Sequence, residues 1–79
     1  MGTITPEDFK IKLGKCLRQL RKEAKLTQKE LALKIGYKDK QVISNYEVNG
    51  ANPTAYTLTQ LAEALGVTTD DMLDFSRLD

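Results

Sequence analysis

The chain has no histidine and no tryptophan, a single cysteine, and no apolar run long enough to cross a bilayer. Each absence removes a class of function. Without histidine, and with no carboxylates clustered at suitable spacing, the common general acid, general base and metal-ligand constellations are missing, so no catalytic residue, no metal site and no cofactor is expected. Cys16 has no partner for an internal disulfide, and its place beside Leu17 and Leu20 suits a small buried apolar side chain. The opening MGTITPEDF has neither the basic start nor the apolar stretch of a signal peptide, and Pro6 stands where an N-myristoyl signal wants Ser or Thr. A cytoplasmic protein is the expectation. The basic first segment also lacks the tryptophan typical of interfacial helices, and its apolar face is committed to a core rather than to a membrane.

What is present is helical periodicity. Seventy-nine residues make one domain, 1–79, with a small core that depends on dense helix packing. Thr5-Pro6-Glu7-Asp8 reads as a helix start: a hydroxyl cap, a proline where its missing donor is harmless, and two acids facing the positive dipole end. Phe9, Leu13, Cys16, Leu17, Leu20 and Ala24 then recur at three- and four-residue steps and mark one buried stripe. Further along, Thr54 is expected to cap a helix that buries Leu58, Leu61, Ala62 and Leu65 and ends at Gly66. A last short helix opens at Thr68 or Thr69. No strand-like alternation persists, so the fold class is all-α, with five helical segments.

Thr27 to Glu47 carries the functional signal. Thr27 and Glu30 form a capping box, Leu31 and Ile35 share a face, and Gly36 supplies the backbone freedom for a sharp turn. A second helix is expected from Asp39, as N-cap, to about residue 46. In it Ile43 and Tyr46 turn inward while Lys40, Gln41, Ser44 and Asn45 point elsewhere. This is a helix-turn-helix, which pushes the start of its second helix into the major groove of DNA. Lysine pairs with guanine O6 and N7, and an amide side chain binds adenine bidentately, so those four residues are the base-contact candidates. Thr27 and Gln28, at an open helix N-terminus, are candidates for phosphate, joined by Lys38 in the turn and by Asn49, Gly50 and Asn52 in the connector that follows. The net charge of +1 is small, but residues 10–40 carry a net +8 and residues 41–79 a net −5. Such a dipolar chain is able to present a cationic face to phosphates.

In order and spacing, LRQLR, LTQKELA, IG, VISNYE, Pro53, LTQLAEALGVT and DML together resemble the XRE and phage-repressor class, Cro and lambda-repressor-like, over about residues 13–73. The resemblance implies a compact five-helix bundle whose second and third helices are the helix-turn-helix. It implies a bacterial or phage-encoded regulator, a repressor, that binds double-stranded DNA as a dimer on an inverted repeat. It places Gln28 on the phosphate backbone and Lys40, Gln41, Ser44 and Asn45 at base edges, and it joins Arg21 to Glu47 in an ion pair tying the first helix to the third. Met72, Leu73, Phe75 and Leu78, apolar residues that a small bundle leaves uncovered, are the candidate dimer surface. Two departures stand out: Tyr37 and Lys38 fill a turn that commonly has one residue, and Asn49 replaces the usual glycine after Glu47. The competing expectation is an antitoxin or adaptor that uses this fold to bind a protein.

Overall fold

The computed structural model describes residues 4–78; the ends of the expected 1–79 domain, Met1 to Thr3 and Asp79, lie outside them. Five α-helices follow in order: α1 (Pro6–Glu23), α2 (Gln28–Lys34), α3 (Gln41–Asn49), α4 (Ala55–Leu65) and α5 (Thr69–Met72), with a 3-10 turn at Phe75–Leu78 closing the chain. Hydroxyl caps start four of them. Thr5 accepts from the Asp8 amide, Thr54 from Thr57, and Thr27 and Thr68 each complete a reciprocal capping box, with Glu30 and Asp71.

Three helices end alike. At the ends of α1, α2 and α4 the residues Lys25, Gly36 and Gly66 take positive φ, and the following amide reaches back to the helix: Leu26 to Arg21, Tyr37 to Ala32 and Val67 to Ala62. These are Schellman closures. Two of the three have glycine, as expected; Lys25, at φ 61°, is the only non-glycine residue with positive φ among the described residues. Ala24, expected in the buried stripe, is instead the exposed C-cap at the end of α1.

Leu13, Leu17, Leu20, Leu31, Ile43 and Leu61 fill one core, each of them sealed from water and contributing about 1.5–3 kcal/mol by burial. α1 is the spine. It lies along α3 on one side, at a separation set by Gly14, where a Cβ would stand 2.2 Å from the Tyr46 carbonyl oxygen. On the other side it holds the 3-10 turn, with the Phe9 and Phe75 rings edge to face at 5.7 Å and the Cys16 thiol donating to the Asp74 carbonyl at 3.6 Å. Burial pushes the Cys16 thiol above its ordinary value, with Arg77 opposing. This arrangement corrects the expected dimer surface. Met72 is fully buried in the core, and Phe75 packs against it, because α5 folds back under α1 and α4.

Candidate nucleic-acid interface

The recognition helix starts later and runs further than the sequence suggests. Asp39 does use its carboxylate as a cap, accepting the Gln41 amide at 2.9 Å, but the first helical carbonyl is that of Lys40, which accepts from Ser44. At the far end α3 continues through Val48 and Asn49, both expected in the connector, and Gly50 takes the positive φ of 102°. Position 49 therefore needs no left-handed tolerance. Tertiary contact fixes this boundary: the Ala51 amide donates to the Lys10 carbonyl at 2.8 Å, and a Cβ on Gly50 would meet the Lys10 side chain at 3.0 Å. Lys10 had no assigned role in the sequence. Its part is backbone chemistry, which no side-chain pattern announces.

Gln41, Asn45 and Val48 share the exposed face of α3, at steps of four and three. Gln41 Nε2 donates to Asn45 Oδ1 at 3.0 Å, and Asn49 Nδ2 approaches the same oxygen at 3.5 Å. The ladder leaves Gln41 Oε1 and one of its N–H groups without a side-chain partner, and leaves Asn45 as a donor. Ser44 is half-buried beside them, while Lys38 and Lys40 are exposed at the helix start. Val48 is 75% exposed and Tyr56, at the start of α4, 73%.

Behind this face lies a hydrogen-bonded polar cluster that spans three helices. Arg21 Nε and Nη2 reach the two Glu47 carboxylate oxygens at 2.6 and 3.0 Å, Arg21 Nη1 donates to the Leu26 carbonyl at 2.8 Å, and Gln28 Nε2 donates to Glu47 Oε1 at 3.0 Å. The pair is nearly sealed, with side-chain exposures of 11% and 3%. It joins α1, the start of α2 and α3 in one bidentate knot, so removal of either partner strands a buried charge and costs about 3–5 kcal/mol. Gln28, expected on a phosphate, spends its amide on this knot. The Thr27 amide is likewise taken, by Glu30 Oε1 at 2.8 Å, which leaves the Gln28 and Lys29 backbone amides as the open donors at that helix end. Glu30, fully exposed, is held below the usual carboxylate range by its two hydrogen bonds to Thr27. Asn49 sits in the last turn of α3, Gly50 is half-buried against Lys10, and Asn52 is exposed.

The cations do not gather on one face. α1 gives Gly14, Leu17 and Arg21 to the side that meets α3, and Lys15, Arg18 and Lys22 lie roughly 70° to 130° around the helix from that side. With Arg77 and Leu78 they line a separate open groove of about 490 Å³. Among the described residues, no group of three or more His, Cys, Asp or Glu side chains is placed to hold a metal, and no helix is long and apolar enough to cross a membrane.

A helix-turn-helix family profile matches residues 17–72. Multiprotein-bridging factor 1 of Candida albicans is 47% identical over 57 residues, covering 72% of this chain and 37% of that protein. The chain spans between 36% and 42% of the length of the yeast bridging factors it matches. An HTH-type transcriptional regulator, y4dJ, of Sinorhizobium fredii is 40% identical over 76% of this chain and 77% of its own length. Among solved structures, a hypothetical transcription factor from Neisseria superposes with a TM-score of 0.77 at 27% identity over 99% of this chain and 92% of its own. The restriction-modification controller protein C.AhdI from Aeromonas hydrophila superposes at 0.71 and 29% identity, over 78% and 92%. The chain belongs to the helix-turn-helix family, with the all-α five-helix fold of the Cro and lambda-repressor class.

Proposed function

We propose that the domain is a transcriptional adaptor, a helix-turn-helix module that joins a protein partner to a promoter complex rather than a free-standing repressor. One observation carries this reading: the charge that an autonomous DNA-binding surface concentrates at its recognition helix is divided here. α3 contains no lysine or arginine, its exposed face includes Val48, and the connector is uncharged, whereas Lys15, Arg18, Lys22 and Arg77 converge on another side. Because phosphate neutralisation dominates DNA affinity, that division weakens autonomous binding and leaves a second surface free. The relatives named as multiprotein-bridging factors, up to 49% identical, support the same reading.

A specific observation favours a second reading, sequence-specific binding of double-stranded DNA: the outward amides of Gln41 and Asn45. In that reading Lys40, Gln41, Ser44 and Asn45 contact bases, and Thr27, Gln28, Lys38, Asn49, Gly50 and Asn52 contact phosphates. A homodimer on an inverted repeat would then use Leu73 and Leu78, the dimer candidates left once Met72 and Phe75 are taken into the core packing.

A tethered reporter separates the two. The chain is fused to an unrelated DNA-binding domain upstream of a promoter, with and without Gln41→Ala and Asn45→Ala. An adaptor alters transcription when tethered and keeps doing so in the double variant. Dependence of the output on Gln41 and Asn45, or on a site selected from random duplex DNA, would replace the adaptor by the operator-binding regulator.

A further inference from the structure

We propose that the groove between α1 and the C-terminal 3-10 turn docks an acidic amphipathic segment of a partner protein, one in which Asp or Glu alternates with Leu or Phe. The proposal rests on the adaptor reading and names the class of its partner.

Charge comes first. Lys15, Arg18 and Lys22 form one stripe at steps of three and four, and Arg77 faces them from the 3-10 turn. The acid at the rim, Glu23, is taken up by Arg77 at 3.6 Å, and the other three cations have no acidic partner among the described residues. Lys15 and Lys22 are about 10 Å apart along the axis, close to two helical turns. Carboxylates at the same spacing on a second helix match them.

Apolar surface distinguishes a protein segment from a nucleic acid. Ile11, 47% exposed, continues the stripe four residues before Lys15, and Leu78 forms part of the opposite wall. The aliphatic stems of the lysines and arginines extend the same surface beneath their charged ends. A phosphodiester backbone has no use for Ile11 and Leu78, whereas leucine or phenylalanine between carboxylates covers both. Gln19 also lines the wall, its Oε1 buried without a hydrogen-bond donor among the described residues.

Position supplies the last argument. The groove lies around α1 from the α3 side, so a segment seated in it leaves Gln41, Asn45 and Val48 free, and two partners are held at once. Acidic segments with interspersed apolar residues are commonly disordered alone and fold on a complementary surface, with modest affinity and fast exchange.

The test titrates the full chain into a labelled peptide of about twenty residues, long enough to form a helix across the groove, built from Asp, Glu, Leu and Phe. A glutamate-only peptide and a single-stranded RNA of similar length serve as comparisons. The amphipathic peptide is expected to bind better than either, and Arg18→Glu with Lys22→Glu to weaken it by more than about tenfold, through lost attraction and added repulsion. Circular dichroism checks that this variant folds, and the milder Arg18→Gln and Lys22→Gln pair gives a smaller loss if it does not. The proposal is overturned by absent peptide binding, by equal affinity for polyglutamate, by groove variants that bind as well as the parent, or by RNA that occupies the groove in preference. An active tethered reporter alongside a failed peptide titration would remove the groove assignment and leave the adaptor reading standing. A bound peptide with a silent reporter supports the groove and removes the adaptor reading.

Discussion

Position 14 tolerates only a hydrogen atom. In the middle of an 18-residue helix, glycine is a poor choice by propensity, and alanine there is worth about 1 kcal/mol more in an isolated helix. Tertiary structure reverses the preference, because a Cβ on Gly14 would lie 2.2 Å from the Tyr46 carbonyl oxygen and 3.3 Å from its carbon, both backbone atoms that cannot swing aside. Gly14→Ala is expected to destabilise the domain by about 1–3 kcal/mol, as overpacking of a closed interface does, with the gain in propensity setting the lower figure. Urea unfolding checks this through a lower midpoint at unchanged slope. A variant as stable as the parent would mean that α1 and α3 separate freely. The sequence did not reveal this residue, since periodicity counts side chains and Gly14 has none. Arg21 and Glu47, by contrast, stand 26 positions apart with ordinary charges, and only resemblance to a family paired them before the structure placed Nε 2.6 Å from the carboxylate.

Helix ends divide by how local their cause is. The starts at Thr5, Thr27, Thr54 and Thr68 and the glycine stops at Gly36 and Gly66 were legible because a hydroxyl cap or a left-handed glycine acts within a few residues of itself. The end of α3 was not, because its limit depends on Lys10, some forty positions away in the chain, receiving the Ala51 amide. The exposed side of α3 was readable from the inward Ile43 and Tyr46, whereas the groove needed Arg77 and Leu78 brought beside α1 from the far end of the sequence. Lys25 belongs with the illegible ends: it closes α1 in a left-handed conformation that costs a Cβ-bearing residue about 1–2 kcal/mol, and nothing in the residue type signals it. Lys25→Gly is therefore expected to stabilise the domain, by up to about 1 kcal/mol after the added backbone entropy of glycine in the unfolded chain is subtracted. Thermal melting at matched ionic strength measures it. A lower midpoint would mean that the Lys25 side chain contributes more than its backbone strain removes.

The molecule measures 40 by 22 by 21 Å, so charges at opposite sides are separated by more than the screening length of about 8 Å at physiological salt. Its net charge of +1 consequently predicts little about association; the two cationic regions act separately. Lys38 and Lys40 border the exposed start of α3, and Lys15, Arg18 and Lys22 border the groove farther around α1. If a DNA duplex meets the α3 face, only the first set neutralises phosphates. Each such contact contributes about one unit to the slope of log affinity against log salt. Lys38→Gln and Lys40→Gln are expected to flatten that slope by about one unit each and to weaken random duplexes uniformly, while Lys15→Gln and Lys22→Gln leave it unchanged. Salt titrations of the four variants against one random duplex decide the point. Equal flattening by both sets would place the duplex across α1 as well as α3, which would merge the two surfaces and leave no free groove for a second partner.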